Sequence, residues 1–127
     1  MSDRVATERR HILREGAGAL ASKVSAAING LGLTNEEVGD IVDASPRSVA
    51  RWAAGDVVPQ RLNKERLLEL AYVAEAVVEV LPADHANLWM FSPNRLLAHR
   101  KPADLIREGK FKDVLDLIDA MAGGVFV

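Results

Sequence analysis

An all-α fold is predicted: a helix-turn-helix head, a long central helix and a C-terminal bundle of short helices. Three observations predict it. Apolar residues recur at intervals of three and four, and no run alternates as a strand would. Helix starts are marked by Thr34, Ser45 and Ser92. Helix stops are marked by Gly32, Gly55, Pro82 and Gly109.

From Val5 to Asn29 the composition favours helix, with Ile12, Leu20, Val24 and Ile28 settling onto one face. Gly16 and Gly18 interrupt it, each at a cost of about 1 kcal/mol against alanine in a helix interior. Gly30 and Gly32 end the segment. A helix from Thr34 to Val42 follows. Thr34 is its N-cap and Glu37 completes a capping box, while Leu33 and Val38 form a hydrophobic staple. Ser45 caps the next helix and Pro46 occupies its first position, where the missing N–H is harmless. That helix runs to Ala54 and stops at Gly55. Asn63 to Leu81 is the longest helix, striped by Leu67, Leu70, Ala71, Ala74, Val77, Val78 and Leu81. Shorter helices follow at Asp84–Met90, at Pro93–Ala98 with Ser92 as cap, at Pro102–Glu108, and at Phe111–Ala122 with Val114, Leu115, Leu117, Ile118 and Met121 inward. The organisation expected is an N-terminal extension (1–18), a helix-turn-helix domain (19–62) and a long helix with a C-terminal domain (63–127).

Composition narrows the function. Hydrophobic residues make up 49% of the chain, enough for a core. The absence of cysteine excludes disulfides and thiolate chemistry. The charged N-terminus lacks a signal core, and no apolar run approaches the roughly 18 to 20 residues of a membrane span. A cytoplasmic protein is expected. His85 and His99 lack metal-ligand spacing, and Asp113, Asp116 and Asp119 read as a solvated face. No catalytic site is expected, and no cofactor.

The turn Asp43-Ala44-Ser45 joins its two helices steeply. Leu33, Val38, Ile41 and Val42 can pack on Val49, Trp52 and Ala53, leaving Arg47, Ser48 and Arg51 facing out on the end that enters the major groove in such motifs. Arginine pairs bidentately with guanine, and serine serves a phosphate or base edge. Arg61, Lys64 and Arg66 suit flanking phosphates. The net charge is −2, so DNA binding requires a local patch. From Asp43 to Arg66 there are five basic residues (Arg47, Arg51, Arg61, Lys64, Arg66) against three acidic (Asp43, Asp56, Glu65).

The stretch TNEEVGDIVDASPRSVARWAAG (34–55) resembles the helix-turn-helix of the Xre (Cro-type) repressor group, with Gly39 where that group has alanine and Asp43 where it has the turn glycine. From Trp89 onward, the series SPNR (92–95), KPADLI (101–106), EG (108–109), VL (114–115), LIDA (117–120) and GVFV (124–127) resembles the toxin-binding domain of the MbcA/ParS/Xre antitoxins. The resemblance implies that the chain sequesters a RES-domain toxin that degrades NAD⁺, and that it represses its own operon by binding operator DNA. NAD is then the toxin's substrate. The toxin-binding residues it implies are Trp89, Ser92, Asn94, Arg95, Lys101, Asp104, Glu108, Val125, Phe126 and Val127. Gly123-Gly124 gives the tail reach, Val125 and Phe126 are apolar anchors, and the Val127 carboxylate completes a candidate plug for an NAD cleft; the alternative is that Phe126 folds back on the core. A homodimer is expected, since two recognition helices about 34 Å apart match successive major grooves, with a larger complex when toxin is bound. The residues themselves leave open a stand-alone repressor with a small ligand or no partner, or an adaptor that has lost DNA binding.

Overall fold

The computed structural model describes residues 21–27 and 29–124. The expected N-terminal extension, Ile12, Leu20, Ile28 and the tail Val125–Val127 lie outside the described residues.

The first helix, α1, is helical at residues 21–27 and 29–31. It passes through Gly30 and ends at Gly32, whose φ of 64° no β-carbon favours. Val24, Ala27 and Leu31 are buried. Helix α2 spans Asn35–Val42 and carries the expected capping box: Glu37 N–H donates to Thr34 Oγ1 at 3.1 Å, and Thr34 N–H to Glu37 Oε1 at 2.9 Å. Both staple residues, Leu33 and Val38, are buried. Asp43 then takes the left-handed conformation (φ 58°, ψ 58°). Helix α3 spans Pro46–Ala53, with Ser45 Oγ accepting from Ser48 N–H.

Gly39 makes this turn possible. A β-carbon there would fall well inside van der Waals contact with the Ala44 carbonyl oxygen, a backbone atom that cannot swing aside. Gly39→Ala gains about 1 kcal/mol of helix propensity but forces α2 and the turn apart, at a typical overpacking cost of ~1–3 kcal/mol. Net destabilisation is expected in denaturant titration; a variant as stable as the parent would refute this account of the turn.

Helix α4 spans Arg61–Val78. It begins at Arg61, not Asn63, because Lys64 N–H already reaches the Gln60 carbonyl. It ends at Val78, not Leu81: Val80 and Leu81 N–H both close on the Val77 carbonyl, a tightened turn ahead of Pro82. The expected boundary at 62/63 therefore falls inside its first turn. Helix α5 spans Ala83–Met90, α6 Pro102–Arg107 and α7 Phe111–Ala122.

The expected helix at Pro93–Ala98, capped by Ser92, is corrected. Only a 3₁₀ turn forms, at Arg95–Leu97, and Asn94 caps it through Oδ1, which accepts from Leu96 N–H at 2.9 Å. The Ser92 hydroxyl instead donates back to the Leu88 carbonyl at 2.5 Å.

Helix α6 packs on α2, α4 and α7, and α4 also packs on α2, α5 and α7. One contiguous hydrophobic cluster thus runs from Val24 through Val49, Val73 and Ile106 to Met121. Two asparagines bind distant segments to it. Asn63 Nδ2 donates to the Val42 carbonyl at 2.9 Å, and Asn87 Nδ2 to the Leu31 carbonyl at 2.6 Å, each satisfying a carbonyl at a helix end. Among the described residues no helix is long and apolar enough to cross a membrane.

Candidate functional site

The first candidate surface is the outer face of α3. Its amphipathic pattern sends Val49 and Trp52 inward and leaves Arg47 and Arg51 exposed. Ser48 is half-buried, and its hydroxyl accepts from Ser45 Oγ at 3.0 Å, which leaves its own proton available to a ligand. Arg61 is extended into solvent beside Glu65 at 3.3 Å, an exposed i,i+4 pair that a phosphate can displace. Lys64 is exposed one turn along.

Arg66 departs from expectation. Its side chain is 21% exposed; Nη1 lies 3.3 Å from Glu69 and Nε donates to the Arg107 carbonyl at 3.4 Å. It ties α4 to the end of α6 and is not available to a phosphate.

The second surface belongs to α5, the loop after it, α6 and α7. Trp89 and Asn94 are 7% and 6% exposed, so both serve the fold more than they offer surface. Asn94 organises the loop: its N–H donates to the Arg100 carbonyl at 3.0 Å, and its carbonyl accepts from His99 N–H at 2.8 Å. Ser92 is half-buried, while Arg95 and Lys101 are exposed. Asp104 is half-buried and pairs with Arg107 at 2.5 Å. Glu108 receives both nitrogens of Arg100, at 3.1 and 2.5 Å, with Lys110 at 3.8 Å.

That fork acts on both partners. The hydrogen bond from Arg100 holds the Glu108 carboxyl below the usual carboxylate range, and the same bond raises Arg100. Because the folded-state pKa of Glu108 is lowered, its contribution to stability is present above the ordinary carboxylate range and is lost as pH falls through the lowered value. The pair is solvent-exposed and its contribution is small.

Sequence reasoning separated His85 from His99. The structure places both, exposed, on the wall of one open cleft of ≈ 730 Å³, shared with Leu88, Trp89 and Arg95. No residue spacing announced this: Ser92 bonds back to the Leu88 and Trp89 carbonyls at the end of α5, and the bonds around Asn94 close the loop 92–99 on itself. No group of three or more His, Cys, Asp or Glu side chains gathers as a metal site among the described residues.

A model of the antitoxin Xre/MbcA/ParS C-terminal toxin-binding domain matches residues 73–124, from the middle of α4 to Gly124. Over 112 residues the chain is 76% identical to the mycobacterial cidal antitoxin MbcA of Mycobacterium tuberculosis, covering 88% of this chain and 99% of that one. The chain belongs to the Xre/MbcA/ParS antitoxin family. A more distant member, a probable mycobacterial cidal antitoxin of M. tuberculosis, is 28% identical over 107 residues, covering 84% of this chain and 91% of that one. Among solved structures, the crystal structure of the M. tuberculosis MbcT–MbcA toxin–antitoxin complex contains a chain that superposes with a TM-score of 0.79 at 78% identity, covering 85% of this chain and 97% of that one. The matched family segment takes in α5, the Asn94 loop, α6 and α7.

Proposed function

We propose that this chain is the antitoxin of a type II toxin–antitoxin pair. It binds and blocks a RES-domain toxin that degrades NAD⁺, and it represses its own operon through α2 and α3. The observation that carries the reading is the likeness, at 78% identity, to a chain of a solved toxin–antitoxin complex. The C-terminal half supplies the toxin surface, with Arg95, Lys101, Asp104 and Glu108 among its polar contacts and Val125 and Phe126 as apolar anchors in the toxin's NAD cleft. Arg47, Ser48 and Arg51 supply base contacts, and Arg61 and Lys64 phosphate contacts. Two copies act together on the operator. The outer side of α4 supports this: Leu68 and Tyr72 are 38% and 60% exposed beside half-buried Phe111 and Leu115.

Co-expression with the adjacent reading frame tests the reading. The expected result is arrest by the neighbour alone with loss of cellular NAD⁺, then rescue and co-purification when this chain is present. A harmless neighbour that does not bind would leave a stand-alone repressor. Deleting residues 124–127 should preserve helicity and release toxicity; full neutralisation by the shortened chain would remove the tail from the mechanism.

A further inference from the structure

We propose that the cleft between α5 and the loop 92–99 is the seat for an acidic segment of the toxin, a peptide that presents a carboxylate together with an apolar side chain. This rests on the antitoxin reading and assigns the chemistry of one of its contacts.

Charge is the first argument. Among the described residues Arg95, His85 and His99 line this cleft and no carboxylate does, in a chain whose net charge is −2. Among the described residues no acidic side chain pairs with Arg95, whereas Arg61, Arg66, Arg100 and Arg107 all have carboxylate partners. An exposed guanidinium with its fork unoccupied is suited to bidentate capture of a carboxylate.

Burial is the second. Trp89 forms part of the cleft wall, and among the described residues its buried indole Nε1–H has no hydrogen-bond partner. Indole nitrogen only donates, so the wall behind the cleft carries a donor that no described acceptor satisfies. At the rim, Leu88 is 70% exposed on α5 and gives the ligand an apolar foothold.

Backbone strain is the third. Ala98 and His99 are consecutive non-glycine residues with left-handed φ, 54° and 63°. Such conformations are costly and persist where surrounding bonds impose them; here the Asn94 backbone bonds to His99 and Arg100 do so. The loop is therefore shaped before its partner arrives, which spares the complex the entropy of ordering it.

The probe is purified M. tuberculosis MbcT, titrated calorimetrically into the full chain. Arg95→Glu, which reverses a charge, combined with His85→Glu, which adds a carboxylate to the cleft, is expected to weaken binding of an acidic segment about tenfold or more. Arg95→Lys, which keeps the charge but loses the fork, should fall between the parent and the double variant, and Lys23→Glu, exposed on α1, should retain all of the parent's affinity. Both cleft positions are exposed, and an unchanged thermal midpoint verifies folding. If the parent chain binds tightly and the double variant binds equally well, the cleft has no such role. If the parent chain does not bind MbcT, the antitoxin reading itself fails, and the cleft's role with it. A photo-crosslinking residue in place of Leu88 reads the ligand class directly. Attachment to a peptide of MbcT containing Asp or Glu is expected. Attachment to a segment without them, or to a second copy of this chain, would overturn the proposal.

Discussion

Replacing Arg47 and Arg51 together by alanine is expected to lower affinity for the chain's own promoter by roughly 30-fold to more than 10⁴-fold, because each bidentate arginine–guanine contact is worth ~1–3 kcal/mol of discrimination. Fold stability should not move. Both side chains are exposed and neither is bonded to another described residue, whereas their neighbours Val49 and Trp52 hold α3 in the core. Lys64→Ala should behave differently. A phosphate contact sets position without reading bases, so its loss should weaken all sequences alike and reduce the salt slope by about 1. Fluorescence anisotropy with promoter and scrambled duplexes, across roughly 50–200 mM salt, separates the two effects. Parent protein that shows neither promoter preference nor salt dependence would mark α3 as a scaffold and the chain as a toxin-binding adaptor.

The fold was legible in the sequence wherever local chemistry decides. Thr34 with Glu37, Ser45 with Pro46, and Gly32 are self-contained signals whose bonds close within a few residues, and each appears in the structure where its spacing places it. The misplacements arose where a distant segment decides. Ser92-Pro93 has the form of a helix start, but Asn94 finds Arg100 across the loop, and the chain closes into a 3₁₀ turn. Arg66 has the composition of a phosphate contact, yet α6 brings the Arg107 carbonyl to it from 41 positions away. Asn63 and Asn87 looked like ordinary helical residues and act as caps for other helices. The pairing of His85 with Arg95 and His99 in one cleft was illegible for the same reason: it exists only once the loop is folded.

Ile106→Ala is expected to destabilise the whole chain by ~2–5 kcal/mol, the usual cost of emptying a well-packed aliphatic site. Ile106 is fully buried on α6, the helix that touches α2, α4 and α7 at once. A cavity there loosens the support of α2 and, through it, the turn that sets α3. It also loosens the contact that holds α7 against α6. Operator binding and toxin binding should therefore be lost over the same temperature range, even though Ile106 reaches neither ligand. The two tryptophans permit a direct check, since Trp52 lies in α3 and Trp89 in α5. With Trp52→Phe and Trp89→Phe as single-reporter backgrounds, both fluorescence signals should unfold at one midpoint, and Ile106→Ala should shift them equally. Coincident probes are the signature of two-state unfolding. Separate midpoints would mean that α2–α3 and α5–α7 are independent units. They would also mean that the cluster running from Val24 to Met121 does not bind them into one. Coincidence carries a functional consequence: stabilisation by one bound partner extends to the other surface by mass action on the shared folded state. A toxin that binds α5–α7 would then protect α3 from unfolding without contacting it.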